Sequence, residues 1–454
     1  MNTNKKVPLW RKIIYGLGTG GGNIFSQIGA AFLLSYYTDT AMLGAAAIGT
    51  MFVVCRVFDG FSDLLMGVVV DRTRTKWGKA RPWVILSGPL TFLGIVLLMH
   101  VPVAAGASAK LIYAYATYIF MSVVVYTIFG IANTAMLPLM TRDPDDNTML
   151  ATFSALGNNI IGLIAGSAIT PLVLALGWHW ASIILGLVAG VLILISGLVN
   201  RELGTEEEEE LKPEAADQPS IKEQFPSVMK NRYFWLLLLI GVFSLLMNAN
   251  AIAAQSYYCN VVLGNAMFVS VLMAAGQAPG IVILLLMPAI SKRWSKQAYL
   301  SMGAVLLIIG FVIAGLAGTN TTLVTIGVII RSLGAGPLLS AVFALVPDVV
   351  EYGYWKFGIR SEGLISSAQS IGSKIGMGFG SGMCAWILAA VGYDATLEAQ
   401  SAGVVSAIQF NYTYMGAIFG VVILILVLLT NVEKYAPQYR EANAKKDQEA
   451  AARR

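Results

Sequence analysis

Long apolar segments follow one another along almost the whole chain, and this feature constrains the fold more than any other. About twelve of them are long enough to cross a hydrocarbon core of ~30 Å at 1.5 Å per helical residue. Only 12% of the residues are charged, whereas soluble domains carry roughly 25%. The sequence therefore predicts an all-α polytopic membrane protein with twelve transmembrane helices.

The predicted spans leave few polar breaks between them. They cover residues 12–38, 44–70, 82–104, 110–140, 148–175, 179–200, 233–262, 266–290, 297–318, 321–348, 362–391 and 404–431. The first apolar stretch is too long for a signal peptide, so we expect it to remain as the first span.

Positive charges cluster in alternate loops, and this pattern predicts the orientation of the chain. They precede the first span and follow the second and the eighth: Lys5, Lys6, Arg11, Lys12, Arg72, Arg74, Lys76, Lys79, Arg81, Lys292, Arg293 and Lys296. Because cytoplasmic loops are enriched in Lys and Arg, we expect a multi-pass protein of the bacterial inner membrane with both termini in the cytoplasm. Topology then explains the net charge of +5 without a nucleic-acid partner. Membrane lipid surrounds such a protein, and no obligate protein partner is predicted.

One long polar segment divides the predicted spans into two sets of six. We interpret residues 1–200 and 233–431 as two six-helix bundles, 201–232 as a cytoplasmic linker and 432–454 as a cytoplasmic tail. The acidic run Glu206 to Glu210 is read as part of a solvated linker, without chemistry of its own. Two related bundles are the architecture of the major facilitator fold, in which the solute site lies between the halves.

A short sequence repeat supports two related halves. The loop after the second predicted span contains Lys76-Trp77-Gly78-Lys79, and the corresponding loop after the eighth contains Arg293-Trp294-Ser295-Lys296. Four residues are a weak repeat by themselves. Together with the central linker they favour the major facilitator fold over other helical membrane folds.

Two carboxylates inside the second predicted span are the first candidates for a functional site. Asp59 and Asp63 are four residues apart, so they project from one face of a helix. Two acids on one face favour a cation between them, either Na+ held by oxygen atoms or a shared proton. The alternative is a structural pair bonded to another helix, but ionisable residues inside a membrane usually serve transport.

Two further residues are predicted at a similar depth. Counting from the cytoplasmic ends of their spans places Asp59 and Lys374 about 16–18 Å deep, near the midplane, and Thr127 close to that level. The Lys374 ammonium would neutralise the carboxylates when the cation is absent. Competition between the ammonium and the cation for the carboxylates would then provide a coupling mechanism. Lys374 in a permanent ion pair, and Thr127 bonded to its own helix, are the alternatives.

Several motifs in both halves resemble one transporter family. They are Ser35-Tyr36-Tyr37-Thr38-Asp39, Arg56-Val57-Phe58-Asp59-Gly60-Phe61-Ser62-Asp63, Arg74-Thr75-Lys76-Trp77-Gly78-Lys79 with Pro82-Trp83, Asp348-Val349-Val350-Glu351-Tyr352-Gly353 and Gly358-Ile359-Arg360-Ser361-Glu362-Gly363. By these residues the chain resembles the glycoside-pentoside-hexuronide:cation symporter family, the melibiose permease-like members of the major facilitator superfamily. The resemblance implies a symporter that imports a sugar or glycoside with Na+ or H+ by alternating access, without a cofactor.

The same resemblance assigns roles to individual residues. Asp59, Asp63 and Thr127 match the family's cation-site positions, and they would be the metal ligands if the ion is Na+. Lys374 matches the lysine of the eleventh helix. Four residues match cytoplasmic-side polar contacts that help to close the inward gate: Arg56, Asp348, Glu351 and Arg360.

The chain departs from the family pattern at four positions. Asn23 and Gly130 stand where sugar-binding aspartates are found, Ala155 replaces an arginine, and Ser62 replaces the asparagine between the cation-site acids. The loss of sugar-binding acids disfavours galactosides and favours hexuronides or their conjugates. Three polar residues at suitable depth are predicted to bind substrate or, alternatively, to hydrogen-bond between helices: Asn23, Asn133 and Gln369.

Arg331 is the last predicted site residue. It lies about ten residues into the tenth span, roughly 15 Å deep, where burying a guanidinium is costly unless it has a role. Its planar fork suits a carboxylate or sulfonate, so it favours an acidic solute such as a hexuronide, glucuronide or sulfosugar. The alternative is a bond to the acids of the second span or to helix carbonyls.

Three other functions compete with an acidic-sugar symporter. A membrane enzyme is not favoured, because the two histidines, His100 and His179, lack metal-ligand spacing. A neutral glycoside or pentoside symporter, and a lysolipid carrier of the same superfamily, remain alternatives that uptake assays separate.

Overall fold

The computed structural model describes residues 6–102, 104–202 and 221–452. Within these ranges the backbone is mostly helical and forms no β-strand. The α-helices are α1 (Leu9–Gln27), α2 (Ala45–Arg72), α3 (Arg81–Leu98), α4 (Ala107–Tyr118), α5 (Tyr126–Met140), α6 (Pro144–Val199), α7 (Ile221–Lys230), α8 (Arg232–Tyr257), α9 (Phe268–Ser291), α10 (Lys296–Leu316), α11 (Thr321–Phe357), α12 (Glu362–Ala390), α13 (Ala402–Tyr412), α14 (Tyr414–Leu429) and α15 (Ala436–Ala452). Short π-helical segments extend or join some of them: Ile28–Phe32, Tyr36–Thr40, Ile119–Val125 and Tyr258–Val262. A further α-helical segment of 3 residues, Leu33–Ser35, lies between the first two.

Eight helical stretches of the described chain are long and apolar enough to cross a membrane. They are Arg81–Leu98, Ala107–Met140, Pro144–Val199, Arg232–Val262, Phe268–Met287, Lys296–Leu316, Thr321–Leu338 and Ala402–Lys446. Helices α2 and α12 are not among the eight, and both carry ionisable residues along their length. The predicted all-α polytopic class is confirmed, while the count of twelve spans stays a prediction.

Helix α6 shows why the number of helices and the number of spans differ. It has 56 residues, which is ~84 Å of helix and far more than one crossing of a core of ~30 Å. Gly177 interrupts it with φ 76° and ψ 167°, a conformation open to glycine because it has no Cβ. The break falls between the predicted spans 148–175 and 179–200, so α6 has the length for two crossings.

The first compact unit is held by close packing of α1 along α6. It consists of Met1–Pro213, Ile252–Gln277 and Ser381–Ile408. A Cβ on Gly157 would overlap the carbonyl of Gly16, so glycine is needed for the helices to approach at backbone distance. The Nζ atom of Lys12 lies 2.5 Å from Oδ1 of Asp146, and both side chains are buried. This ion pair fixes the start of α1 to the start of α6.

We expect Lys12→Met to lower the unfolding temperature of the detergent-solubilised protein by several degrees. The substitution leaves Asp146 buried without its cation, which costs more than the loss of an exposed pair. Lys445→Met is the matched control, because Lys445 and Glu441 form an ion pair in which both side chains are exposed. Equal unfolding temperatures for the two variants would contradict the structural role of Lys12.

The second compact unit is built around an apolar core of aromatic and aliphatic side chains. It consists of Glu214–Ala251, Ala278–Gly380 and Gln409–Arg454. Tyr233, Leu307, Phe311, Val349 and Ile423, from α8, α10, α11 and α14, belong to this core and are almost inaccessible to solvent. The polar helix α15 packs on α11. Burial of this apolar surface stabilises the unit.

The predicted division into two bundles, a linker and a tail stays a prediction. Residues 203–220 of the predicted linker, with the acidic run Glu206 to Glu210, lie outside the described residues. The predicted tail begins with a short 3-10 segment, Val432–Tyr435, and continues as α15.

The two loops with related sequences end in the same arrangement. In the first, the Glu202 carboxylate accepts hydrogen bonds from the backbone N–H groups of residues 79–81 at 2.5 to 2.9 Å. In the second, the Glu433 carboxylate accepts them from residues 296–297 at 3.0 and 3.1 Å. The first N–H groups of a helix have no partner inside it, and a negative charge there is favourable. Each loop is therefore fixed by an acid that follows a helix of its own compact unit.

Candidate functional site

Two of the predicted cation-site residues meet in the first unit. Asp59 on α2 is 3% exposed, and its Oδ1 accepts a hydrogen bond from the Thr127 hydroxyl at 3.0 Å. Ser62 Oγ lies 3.0 Å from Thr127 Oγ1 and 3.0 Å from the Asp59 carbonyl oxygen. The structure thus gathers a carboxylate, two hydroxyls and a carbonyl, which are the oxygen ligands that hard cations prefer.

Arg56 forms an ion pair with the same carboxylate. Its Nη1 lies 3.4 Å from Oδ2 of Asp59, one helical turn away on α2. An opposite charge reduces the cost of holding an ionised acid inside the protein. Arg56 therefore belongs to the Asp59 cluster, and its predicted role in the cytoplasmic gate stays a prediction.

The two other residues predicted for coupling are half-buried. Asp63 follows Asp59 by one turn on α2, as its spacing predicts. Lys374 lies on α12 in the second unit. Their parts in cation binding and coupling stay predictions.

Three amide side chains of the first unit lie close together beside α6. We call them the amide cluster: Asn23, Gln27 and Gln277. The Nδ2 of Asn23 donates to the carbonyl of Asn158 at 2.6 Å, and Gln27 Nε2 lies 3.3 Å from Gln277 Oε1. Gly162 lies beneath all three, and a Cβ there would overlap the Asn23 amide nitrogen. Amides both donate and accept hydrogen bonds, so the cluster suits an uncharged polyhydroxyl solute.

Asn133 and Gln369 lie inside helix interfaces. Asn133 Nδ2 donates to the Thr19 hydroxyl at 3.1 Å, and the backbone carbonyl of Asn133 accepts from the Tyr15 hydroxyl at 2.6 Å. Gln369 packs against Gly241 of α8, where a Cβ would overlap its amide nitrogen. These contacts agree with hydrogen bonding between helices, and substrate binding by either residue stays a prediction.

Arg331 is enclosed by two aromatic rings of the second unit. It is 9% exposed, and its guanidinium carbon lies 5.0 Å from the ring centroids of both Phe311 and Tyr412. Its Nη2 donates to the Tyr412 hydroxyl at 3.2 Å, while the buried Nη1 has no hydrogen-bond partner among the described residues. The rings stabilise the cation, and one edge of the guanidinium remains for another acceptor.

The three remaining gate residues contact α15 or one another. Asp348 accepts from Lys296 Nζ at 2.5 Å and from the Tyr439 hydroxyl at 3.0 Å. Arg360 pairs with the Glu351 carboxylate, which also accepts from the Asn443 side chain at 2.6 Å. The structure therefore joins these residues to the C-terminal helix, and the gating role stays a prediction.

A family model described as MFS/sugar transport protein matches residues 14–434. The chain belongs to this family. The transporter is 28% identical over 452 residues to the isoprimeverose transporter of Lactiplantibacillus pentosus. The alignment covers 95% of this chain and 90% of that protein. It is 30% identical over 411 residues to the glucuronide carrier protein homolog of Escherichia coli (strain K12), with 88% of each chain covered.

A solved structure agrees on the fold. The nucleoside transporter NupG superposes on the transporter with a TM-score of 0.63 and 15% identity, over 93% of this chain and 99% of that one. The predicted family resemblance and the major facilitator fold are confirmed. The prediction that the chain is not an enzyme is also confirmed, because the matching family and relatives are transporters.

Sequence reasoning missed several polar residues of the transporter that the structure places beside predicted ones. Gln27 follows Asn23 by four residues and therefore lies on the same helix face, and Gln277 is a polar residue inside a predicted span. The sequence identifies Ser62 only as a departure from the family pattern, yet it follows Asp59 by three residues, so the same periodicity places it beside Asp59. Ser26 Oγ lies 2.8 Å from the Tyr126 hydroxyl, a contact between helices that no spacing along one helix predicts.

Proposed function

We propose that the transporter is a symporter that imports a sugar or glycoside together with Na+ or H+ by alternating access. The observation that carries this proposal is the buried carboxylate of Asp59 with the hydroxyls of Thr127 and Ser62 beside it. An acid inside a membrane protein is costly and marks an ion or proton pathway. We also propose that both termini lie in the cytoplasm, as the distribution of Lys and Arg predicts.

Uptake into membrane vesicles tests the coupling. The purified transporter is reconstituted, a Na+ gradient or a pH gradient is imposed separately, and accumulation of radiolabelled glycosides, pentosides, glucuronides and sulfosugars is measured. A symporter concentrates its solute when one of the gradients is present and only equilibrates it without a gradient. Accumulation that is independent of both gradients would contradict the proposal.

We further propose an acidic solute, and the support comes from Arg331. Its buried Nη1 lacks a protein acceptor among the described residues, and a guanidinium binds a carboxylate or sulfonate through two parallel hydrogen bonds. A relative that is 30% identical is named as a glucuronide carrier homolog, and a glucuronide bears a carboxylate.

Arg331→Lys is expected to weaken uptake of an acidic sugar by about tenfold or more, because lysine keeps the charge and loses the two-point geometry. Uptake of a neutral glycoside, and its response to the cation gradient, should be unchanged. Tyr412→Phe is the control: it removes the hydroxyl bonded to Arg331 but keeps the aromatic ring and the guanidinium. Equal transport of neutral and acidic analogues by the unmodified protein would contradict the proposal of an acidic solute.

A neutral glycoside or pentoside is the second candidate solute. The amide cluster favours it, because Asn23, Gln27 and Gln277 offer uncharged donors and acceptors. The relative named as an isoprimeverose transporter supports a sugar without specifying an acid. Lysophospholipid is the third arm of the same uptake assay, and its transport would identify a lysolipid carrier instead.

A further inference from the structure

The two histidines of the chain lie against each other. They are 79 positions apart, yet Nε2 of His100 is in direct contact with Nδ1 of His179. Their ring centroids are 4.2 Å apart. His100 follows the end of α3, and His179 follows the break at Gly177 in α6. Both belong to the first unit, and the proposed transport function uses neither.

The hydrogen bond of His100 determines which of its nitrogens is available. Nδ1 of His100 lies 2.7 Å from the backbone carbonyl of Val96. A carbonyl only accepts, so Nδ1 carries the proton, and Nε2 of the neutral ring presents a lone pair. Histidines that bind metals are held in the same way, with one nitrogen donating to a carbonyl and the other facing the ion.

Solvent reaches the contact between the two rings, because His179 is exposed and His100 is half-buried. In this contact Nδ1 of His179 is the donor to Nε2 of His100. An ion would take the place of that proton once the exposed His179 ring turns aside, with solvent supplying further ligands. The described part of the chain holds no group of three or more His, Cys, Asp or Glu residues that suits a metal. The site therefore has two protein ligands.

We propose that His100 and His179 together bind a borderline divalent cation of the Zn2+ class. Imidazole nitrogen suits Zn2+, Cu2+ and Ni2+, whereas Mg2+ and Ca2+ prefer oxygen ligands. Two imidazoles and two water molecules complete a four-coordinate zinc ion. The ion links the end of α3 to the second part of α6, so binding stabilises the packing of these two helices.

Zinc titration of the purified full-length transporter, carrying an affinity tag without histidine, tests the proposal. We expect one Zn2+ per molecule by calorimetry, and no comparable binding of Mg2+. His100→Gln and His179→Gln should each weaken binding by at least about tenfold, because the loss of a ligand costs no less than the loss of its outer-shell support. Tyr113→Phe is the control, since its hydroxyl donates to the carbonyl of Leu97 nearby and is not a ligand.

Thermal unfolding provides a second readout. Zn2+ should raise the unfolding temperature of the parent and of Tyr113→Phe, because an ion that binds only the folded state stabilises it. It should leave both histidine variants unchanged. The proposal is overturned if the double variant binds Zn2+ as tightly as the parent, or if either single variant retains the parent affinity.

Discussion

Asp59→Asn is expected to abolish accumulation of the solute against its gradient while the protein remains folded in the membrane. The amide keeps the volume of the side chain and can still accept the hydrogen bond from Thr127. It carries no negative charge, so it neither attracts Na+ nor takes up a proton. Vesicles with an imposed Na+ or pH gradient should then only equilibrate the solute, and the accumulation ratio is the quantity measured.

Two further variants sharpen this test. Asp145→Asn changes an exposed carboxylate at the start of α6 and should accumulate the solute like the parent. Thr127→Val removes one oxygen beside Asp59 and keeps the charge, so we expect about a tenfold weaker response to the coupling cation, as for one lost hydrogen-bonding partner. Concentration of solute by Asp59→Asn would reject the carboxylate as the coupling group.

Gly162→Leu is expected to abolish solute uptake. Even a Cβ at Gly162 would overlap the amide of Asn23 and approach those of Gln27 and Gln277, so a leucine side chain must displace the amide cluster. The hydrogen bonds that we propose between these amides and the hydroxyl groups of a sugar would then be lost. Uptake is measured at a fixed cation gradient, with the amount of folded transporter determined in the same vesicles.

Control variants separate loss of the amide cluster from loss of the fold. Gly106→Leu places the same side chain where a Cβ meets no atom within 4 Å, and we expect nearly normal uptake. Gln277→Leu removes one amide and should weaken uptake by about tenfold. Asn159→Leu removes an amide that bonds to a carbonyl of its own helix, at Ala155, and should have little effect. Normal uptake by Gln277→Leu would exclude the cluster as a solute site.

The fold class and the similar depth of Asp59 and Thr127 could be predicted from the sequence for one physical reason. Apolar length and charge distribution report directly on the membrane, which is the dominant solvent of this chain. Counting 1.5 Å per residue gives the depth of each side chain. The contact between Asp59 and Thr127 does not follow from depth, and the resemblance to the family is what placed both residues in one site.

Depth alone does not give the rotation of a helix about its axis or the identity of its neighbours. The depth of Arg331 could be counted, but its enclosure by Phe311 and Tyr412 depends on how α10, α11 and α13 pack. The meeting of Gln27 with Gln277 likewise requires two helices that are far apart in sequence. Such contacts become predictable only when the tertiary arrangement is known.

The helical form of the tail is indicated by its composition. Residues 436–452 are rich in Ala, Glu and Lys, which have high helix propensity. What propensity cannot give is the packing of α15, which brings Tyr439 to Asp348 and Asn443 to Glu351.

The positions of Glu202 and Glu433 bear on where the chain can be divided into two polypeptides. Each fixes a loop on its own side of residues 203–220, at residues 79–81 and 296–297, so a break within that segment severs neither set of hydrogen bonds. A transporter produced as two separate polypeptides, ending and beginning in that segment, retains both helix starts with their negative charge. We expect co-expression of these two fragments to restore uptake better than fragments divided between residues 81 and 202, which place Glu202 and the helix start at residues 79–81 on different polypeptides.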